Sequence, residues 1–124
     1  MYTKYTSDNL ILSLSFQFAL KIVSYTEDLE NIKKYNLARQ LFRCGTSIGA
    51  NVREAQGAES MNDFIHKIKI AYKEAQETNY WLEICWASEN YPTPDQLISD
   101  IKSILKILGR ILTSSINKKI LKSQ

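Results

Sequence analysis

A run of apolar residues at helical spacing occupies the middle of the chain and limits the folds open to it. Its members follow one another at intervals of four, three, four, four and three residues, and they are Leu37, Leu41, Cys44, Ile48, Val52 and Ala55. This spacing describes one face of an α-helix and does not fit the alternation of a β-strand. The stripe therefore predicts an amphipathic helix, which we place from about Lys34 to Glu59.

An earlier segment carries the same pattern. It begins at Ser7, a residue type favoured at the N-cap, with Asp8 in the first turn. A polar connector of residues 27–34 is predicted to follow it. The positions assigned to the core of this helix are Leu10, Ile11, Leu14, Phe18, Ile22 and Tyr25.

Two later helices have readable starts. Ser60 and Asp63 resemble a capping box. Thr93 and Gln96 form another, with Pro94 at the first helical position, where its missing N–H costs little. The core positions assigned to these helices are Phe64, Ile68, Ala71, Tyr72, Ala75, Asn79, Leu82, Trp86, Leu97, Ile101, Ile104, Leu105, Leu108, Ile111, Leu112 and Ser115.

The scarcity of helix-breaking residues supports long helices with short connections. The 124 residues include only four glycines and two prolines, and hydrophobic residues make up 44% of them. That length suits one domain with a core of its own. The sequence predicts an all-α protein, an antiparallel up-down four-helix bundle formed as a single domain by residues 1–124.

The second helix is unusual because its middle holds small and polar residues. Gly45 and Gly49 lie one turn apart on one flank of the apolar stripe, and each costs about 1 kcal/mol relative to alanine. Either they are tolerated, or a neighbouring helix approaches closely there, which is the interpretation we adopt. The opposite flank is either a solvated edge or a specific contact with a helix or a subunit, and its members are Gln40, Arg43, Ser47, Asn51 and Glu54.

Two helices carry apolar residues on the side away from their predicted core. Exposed stripes that contain Phe and Trp are unusual in a monomer, so we expect them to be buried between subunits. Together with the polar flank, they define a predicted oligomer interface of Leu12, Phe16, Val23, Arg43, Ser47, Asn51, Glu54, Ile70 and Trp81.

The segment from Arg43 to Glu54, followed by a helix rich in Ala and Glu that contains Trp-Leu, resembles the 23S rRNA intervening-sequence protein family. The matching positions are Arg43, Ser47, Ile48, Asn51, Val52 and Glu54. The resemblance implies a bacterial four-helix bundle that assembles into a ring, typically a pentamer, without an established activity. A related branch, the accessory protein of diversity-generating retroelements, implies a reverse transcriptase and nucleic acid as partners.

Few residues suit catalysis, and we expect no enzyme, no cofactor and no metal. His66 is the only histidine, and with Asp63 it supplies one half of a di-iron motif that requires two. Cys44 and Cys85 are too isolated for a zinc site and are expected to be packed thiols. The N-terminal apolar run is interrupted by polar residues and too short to span a bilayer, so a cytoplasmic protein is expected.

Basic residues are concentrated in the last quarter of the chain. Residues 95–124 hold six Lys or Arg against two Asp. The candidate nucleic-acid-binding residues are Lys102, Lys106, Arg110, Lys118 and Lys119. Contact with phosphates is one interpretation, and a solvated face with cations near a helix C-terminus is the other. If no nucleic acid binds, the alternative function is a protein-binding scaffold or adaptor.

Overall fold

The computed structural model describes residues 9–123, and all regular structure in that range is helical. The four helices are α1 (Leu10–Asn31), α2 (Tyr35–Ala55), α3 (Met61–Ala87) and α4 (Asp95–Ser123). Each helix packs on its neighbour in the chain, and α4 also packs on α1. The prediction of four helices is confirmed within the described residues.

A single core lies between the four helices, and each contributes large side chains with almost no solvent exposure. Phe18, Leu41, Leu82 and Leu108 represent the four helices in it. Burial of such side chains contributes roughly 1.5–3 kcal/mol each, so the shared core is the main source of stability. No helix within residues 9–123 combines the length and hydropathy that crossing a bilayer requires.

The beginning of α1 differs from the prediction. The Asn9 side chain caps the helix by accepting a hydrogen bond from the Leu12 amide at 3.3 Å. It also donates to Gln56 Oε1 at 2.8 Å, which ties the start of α1 to the end of α2. The predicted cap, Ser7, lies outside the described residues.

The end of α1 corrects a second prediction, because the expected connector is largely helical. The helix continues to Asn31, and only three residues separate it from α2. Leu29, inside the supposed connector, is fully buried. One anchoring leucine per turn is enough to keep an otherwise polar segment helical, and Lys33 then turns the chain with φ of 65°.

The starts of the later helices agree closely with the sequence. Ser60 caps α3 by accepting a hydrogen bond from the Asp63 amide at 3.0 Å, as predicted. The α4 helix begins at Asp95, one residue later than expected, so Pro94 precedes it. The α2 helix ends at Ala55 and not near Glu59, where a turn containing Gly57 leads to α3.

The buried seam of α3 corrects the assignment of Trp86 to the core. The buried positions repeat at intervals of three and four and are Ile68, Ala71, Ala75, Thr78, Leu82 and Cys85. Trp86 lies one residue beyond this seam and is 66% exposed. Asn79 and Tyr72, also assigned to the core, lie at its half-buried edge.

The glycine flank of α2 packs against α1, as the sequence predicted. A methyl group added at Gly49 would lie 3.3 Å from the backbone oxygen of Ser15. One added at Gly45 would lie 2.8 Å from Cγ1 of Ile22, inside normal contact distance. Only glycine permits this approach without displacing α1.

Candidate functional site

Basic side chains form an exposed face on α4. Lys102, Lys106 and Arg110 follow one another at intervals of four on the side away from the core. They span about 12 Å along the helix axis. All five predicted nucleic-acid-binding residues are exposed, and they are Lys102, Lys106, Arg110, Lys118 and Lys119. Their position leaves the ammonium and guanidinium groups accessible to a polyanion.

The structure brings only part of this set together. Lys106, Arg110 and Lys118 line one shallow depression of about 750 Å³. Lys102 instead lines a separate groove at the beginning of α4, where two carboxylates are present. Lys119 follows Ser115 by one helical turn, on the side of α4 that faces the core farther up. The three residues that share the depression therefore form the strongest candidate for binding phosphate.

The groove that contains Lys102 lies between the end of α3 and the start of α4. It measures about 600 Å³ and is lined by Tyr80, Glu83, Ile84, Trp86, Ala87, Asp95, Ile98 and Lys102. We call it the acidic groove, because Glu83 and Asp95 outnumber Lys102 among its charged residues. The Tyr80 ring stacks edge-on against Trp81 at 5.4 Å between centroids, which holds Tyr80 in place.

The polar flank of α2 lies along α3. Arg43 forms ion pairs with Glu74, at 3.4 Å, and with Glu77. Trp81 Nε1 donates to the same Glu77 carboxylate at 3.0 Å. Arg43 therefore joins two carboxylates of α3, and the tryptophan orients one of them.

The lower half of the same flank continues the contact. Glu54 pairs with Lys67 of α3 at 3.0 Å, and this carboxylate raises the pKa of Lys67. Asn51 Nδ2 donates to the backbone oxygen of Ser47 at 2.9 Å, and both residues are half-buried. The flank that the sequence left open thus meets a neighbouring helix of the same chain through its charged members.

The predicted apolar interface is placed unevenly. Phe16 is exposed, while Val23, Ile70 and Trp81 are half-buried. Leu12 was expected on the outer side of α1, but it is only 5% exposed. The close approach of α1 and α2 at Ser15 and Gly49 covers it, so Leu12 belongs to the core.

A second groove crosses the outer side of α1 and α2. Phe16, Thr46, Ala50 and Arg53 line it, and its volume is about 420 Å³. The Arg53 guanidinium lies over the Phe16 ring at 5.7 Å from its centroid, a cation–π distance. This contact covers part of the apolar surface that Phe16 presents.

The sequence prediction missed several exposed apolar residues. Leu20 and Phe42 lie on the outer side of α1 and α2, and Tyr80 lies in the acidic groove. Trp86 was assigned to the core. A strict seven-residue repeat along α3 would have placed Trp86 and Tyr80 outside the seam, because the buried positions recur at three and four residues.

The reactive side chains show no catalytic arrangement within residues 9–123. His66 is exposed, and Asp63 accepts a hydrogen bond from the Glu59 amide at 3.2 Å. No group of three His, Cys, Asp or Glu side chains in this range is placed to hold a metal ion. Cys44 and Cys85 are buried as free thiols, and burial raises the pKa of both.

The comparison with known proteins agrees with the resemblance carried by α2 and α3. A family model described as 23S rRNA-intervening sequence protein matches residues 7–114. The chain belongs to this family. The match runs through most of α4 and ends close to Ser115, the last buried residue of that helix. Among curated proteins, none matches the chain.

A solved structure supports the membership of this 23S rRNA-intervening sequence protein in three dimensions. The chain is similar to a Bacteroides thetaiotaomicron VPI-5482 protein of unknown function from the S23 ribosomal protein family, known from a 1.70 Å crystal structure. Sequence identity is 41%, and the match covers 82% of this chain and 97% of the other, with a TM-score of 0.78. This similarity supports the fold and carries no assigned activity.

Proposed function

We propose that this protein is a non-enzymatic, ring-forming helical-bundle assembly protein, a homopentamer, that associates with nucleic acid through the basic face of α4. The observation that carries the nucleic-acid part is the shared depression of Lys106, Arg110 and Lys118. Its chemistry suits phosphates, which attract clustered Lys and Arg independently of sequence. A ring repeats the depression in every subunit and multiplies the local field.

The proposal includes an antiparallel up-down order of the four helices. Lys21 near the middle of α1 pairs with Asp100 near the start of α4 at 2.8 Å, and Tyr25 donates to the Pro92 carbonyl at 2.7 Å. Arg43 contacts residues late in α3, whereas Glu54 contacts Lys67 early in it. Contacts in this order support helices that alternate in direction.

The assembly part is supported by large apolar side chains that the chain leaves exposed. Phe16, Leu20 and Phe42 lie on α1 and α2, and Tyr80 and Trp86 lie beside α4. Burial of such residues between subunits would remove contiguous apolar surface from water. Light scattering at micromolar concentration tests the proposal, and a monodisperse 14.3 kDa species would overturn it.

A charge-reversal pair tests the nucleic-acid part. In the double variant Lys106→Glu/Arg110→Glu, we expect loss of RNA or DNA binding at about 50 mM salt, because each neutralised contact lowers the salt slope by about one. The matched control is Lys33→Glu/Arg39→Glu, which reverses two exposed charges on the α1–α2 side. We expect the control to bind like the wild type. Adding Lys102→Glu should have little further effect, since Lys102 shares its groove with Glu83 and Asp95.

A protein-binding scaffold is the second candidate function, and the acidic groove favours it. Trp86 and Tyr80 are residue types that contribute strongly to protein interfaces. If the gene lies beside a reverse-transcriptase gene, we propose that enzyme as the partner. Absence of nucleic-acid binding by the wild type at about 50 mM salt would support this second function over the first.

A further inference from the structure

Charge is segregated along the α3–α4 pair to an unusual degree. Residues 74–101 contain six acidic residues and no basic one, whereas residues 101–124 contain six basic residues and no acidic one. Because α4 runs from the first range into the second, its beginning lies in an acidic region and its end is basic. Interactions between such ends are attractive when two copies meet head to tail.

The acidic end has a concave apolar surface. Trp86 and Tyr80, which are 66% and 59% exposed, stand on the acidic groove with Ile98. Glu83 and Asp95 are exposed beside them. An aromatic groove with carboxylates at its margin suits a segment that carries aliphatic side chains between lysines.

The end of α4 has that composition. We call residues 116–123 the α4 tail. The buried seam of α4 ends at Ser115, and its next two positions are Lys119 and Lys122. The aliphatic residues have moved to the outer side, where Ile120 and Leu121 are 52% and 69% exposed. The tail is therefore amphipathic, but its apolar side does not face the core of its own chain.

These two complementary surfaces cannot meet within one chain. Asp95 and Leu121 belong to the same helix and are separated by about 39 Å of axial rise. A continuous helix holds its two ends apart. Any contact between the α4 tail and the acidic groove must therefore join two copies.

We propose that the α4 tail of one copy docks into the acidic groove of a neighbouring copy. Ile120 and Leu121 pack against Trp86 and Tyr80, while tail lysines face the carboxylates of the groove. The contact is heterologous, and repetition of such a contact with closure produces a ring. This inference rests on the proposed homo-oligomer and specifies one of its interfaces.

Site-directed cross-linking tests the contact. Copies carrying Leu121→Cys are mixed with differently tagged copies carrying Ala87→Cys, which is exposed in the groove, and treated with a short bis-maleimide. We expect cross-links between the two tags. The control is Ala50→Cys, exposed on α2, with which Leu121→Cys should not cross-link. Cys44 and Cys85 are buried, so wild-type protein should remain unlinked. Equal cross-linking to both positions, or to neither, in a persisting oligomer would overturn the docking.

A charge exchange provides a second test. We expect Glu83→Lys/Asp95→Lys and Lys118→Glu/Lys119→Glu each to weaken association by about tenfold or more, because like charges then face each other. The chain that carries all four substitutions should recover most of the lost association. No effect of either double variant on the oligomer would refute the docking while leaving the assembly proposal intact. A monomeric wild type would refute both.

Discussion

The two flanks of α2 contact their neighbours in opposite ways. Toward α1, Gly45 and Gly49 remove side chains so that helix surfaces meet directly. Toward α3, Arg43 and Glu54 reach across with long charged side chains. One helix therefore combines a seam fixed by close packing with a seam held by exposed ion pairs.

The difference lies in what each seam tolerates. A packed seam has no room, so one added methyl group must displace a neighbour. An exposed ion pair contributes little, because water and salt compete with it. We therefore expect the glycine flank to determine the stability of the chain and the charged flank to determine mainly the specificity of its contacts.

The largest effect is expected for Gly49→Leu. The obstacle is the backbone of Ser15, which cannot rotate away as a side chain can. The substitution should separate α1 from α2 and lower the free energy of unfolding by ~3 kcal/mol or more. Urea unfolding followed by circular dichroism measures it. A variant as stable as the wild type would show that the two backbones are not held in contact at this position.

Gly45→Ala comes next, and a double-mutant cycle isolates its cause. The added methyl group meets three side-chain atoms of Ile22, which is fully buried. We expect a loss of about 1–3 kcal/mol in the wild-type background. In the Ile22→Ala background the obstacle is gone, and the same substitution should stabilise the chain through its helix propensity.

Gly109→Ala is the matched control within the same chain. Gly109 also lies inside a helix, but a methyl group there would be 3.8 Å from the nearest neighbour, a ring atom of Tyr72. The substitution should raise the free energy of unfolding by about 1 kcal/mol. If Gly45→Ala and Gly109→Ala change stability in the same direction, close packing is not the reason for glycine at position 45.

The glycine flank and the helices around it were predictable because they depend on local spacing. Gly45 and Gly49 are one turn apart, so a groove followed directly from the helical repeat. The Ser60 cap was equally local. Leu29 was missed because the acidic residues around it resemble a connector, and one buried leucine leaves a weak periodic signal.

The contacts of the candidate site were less predictable, because they depend on how neighbouring helices are aligned along their axes. The sequence placed Arg43 and Glu54 on one flank but did not indicate Glu74, Glu77 or Lys67 as partners. Composition also grouped Lys102 with the other basic residues. Its neighbours in the acidic groove come from another helix, and sequence spacing does not reveal them.

A smaller effect is expected for Arg43→Met on the charged flank. The Arg43 side chain is half exposed, so loss of its pairs with Glu74 and Glu77 should cost at most about 1 kcal/mol. The difference from the wild type should shrink in about 1 M salt, where screening is strong. Urea unfolding at low and high salt checks this. A loss near that of Gly49→Leu would mean that the charged seam is as restrictive as the packed one.

The smallest effect on stability, but not on assembly, is expected for Glu54→Leu and Asn51→Leu. Glu54 is exposed, and its ion pair with Lys67 should contribute less than about 1 kcal/mol. Asn51 is half-buried and loses only a hydrogen bond to the backbone of Ser47 in its own helix. We expect unfolding free energies close to the wild type together with weaker or less uniform oligomers in light scattering, because leucine removes polar specificity from a surface near the proposed subunit contact. Arg39→Leu, on the outer side of α2, adds similar apolar surface away from this flank and serves as the control. If both flank variants retain wild-type stability and oligomeric state, the charged flank is a solvated edge, and the contrast between the two sides of α2 concerns packing within one chain alone.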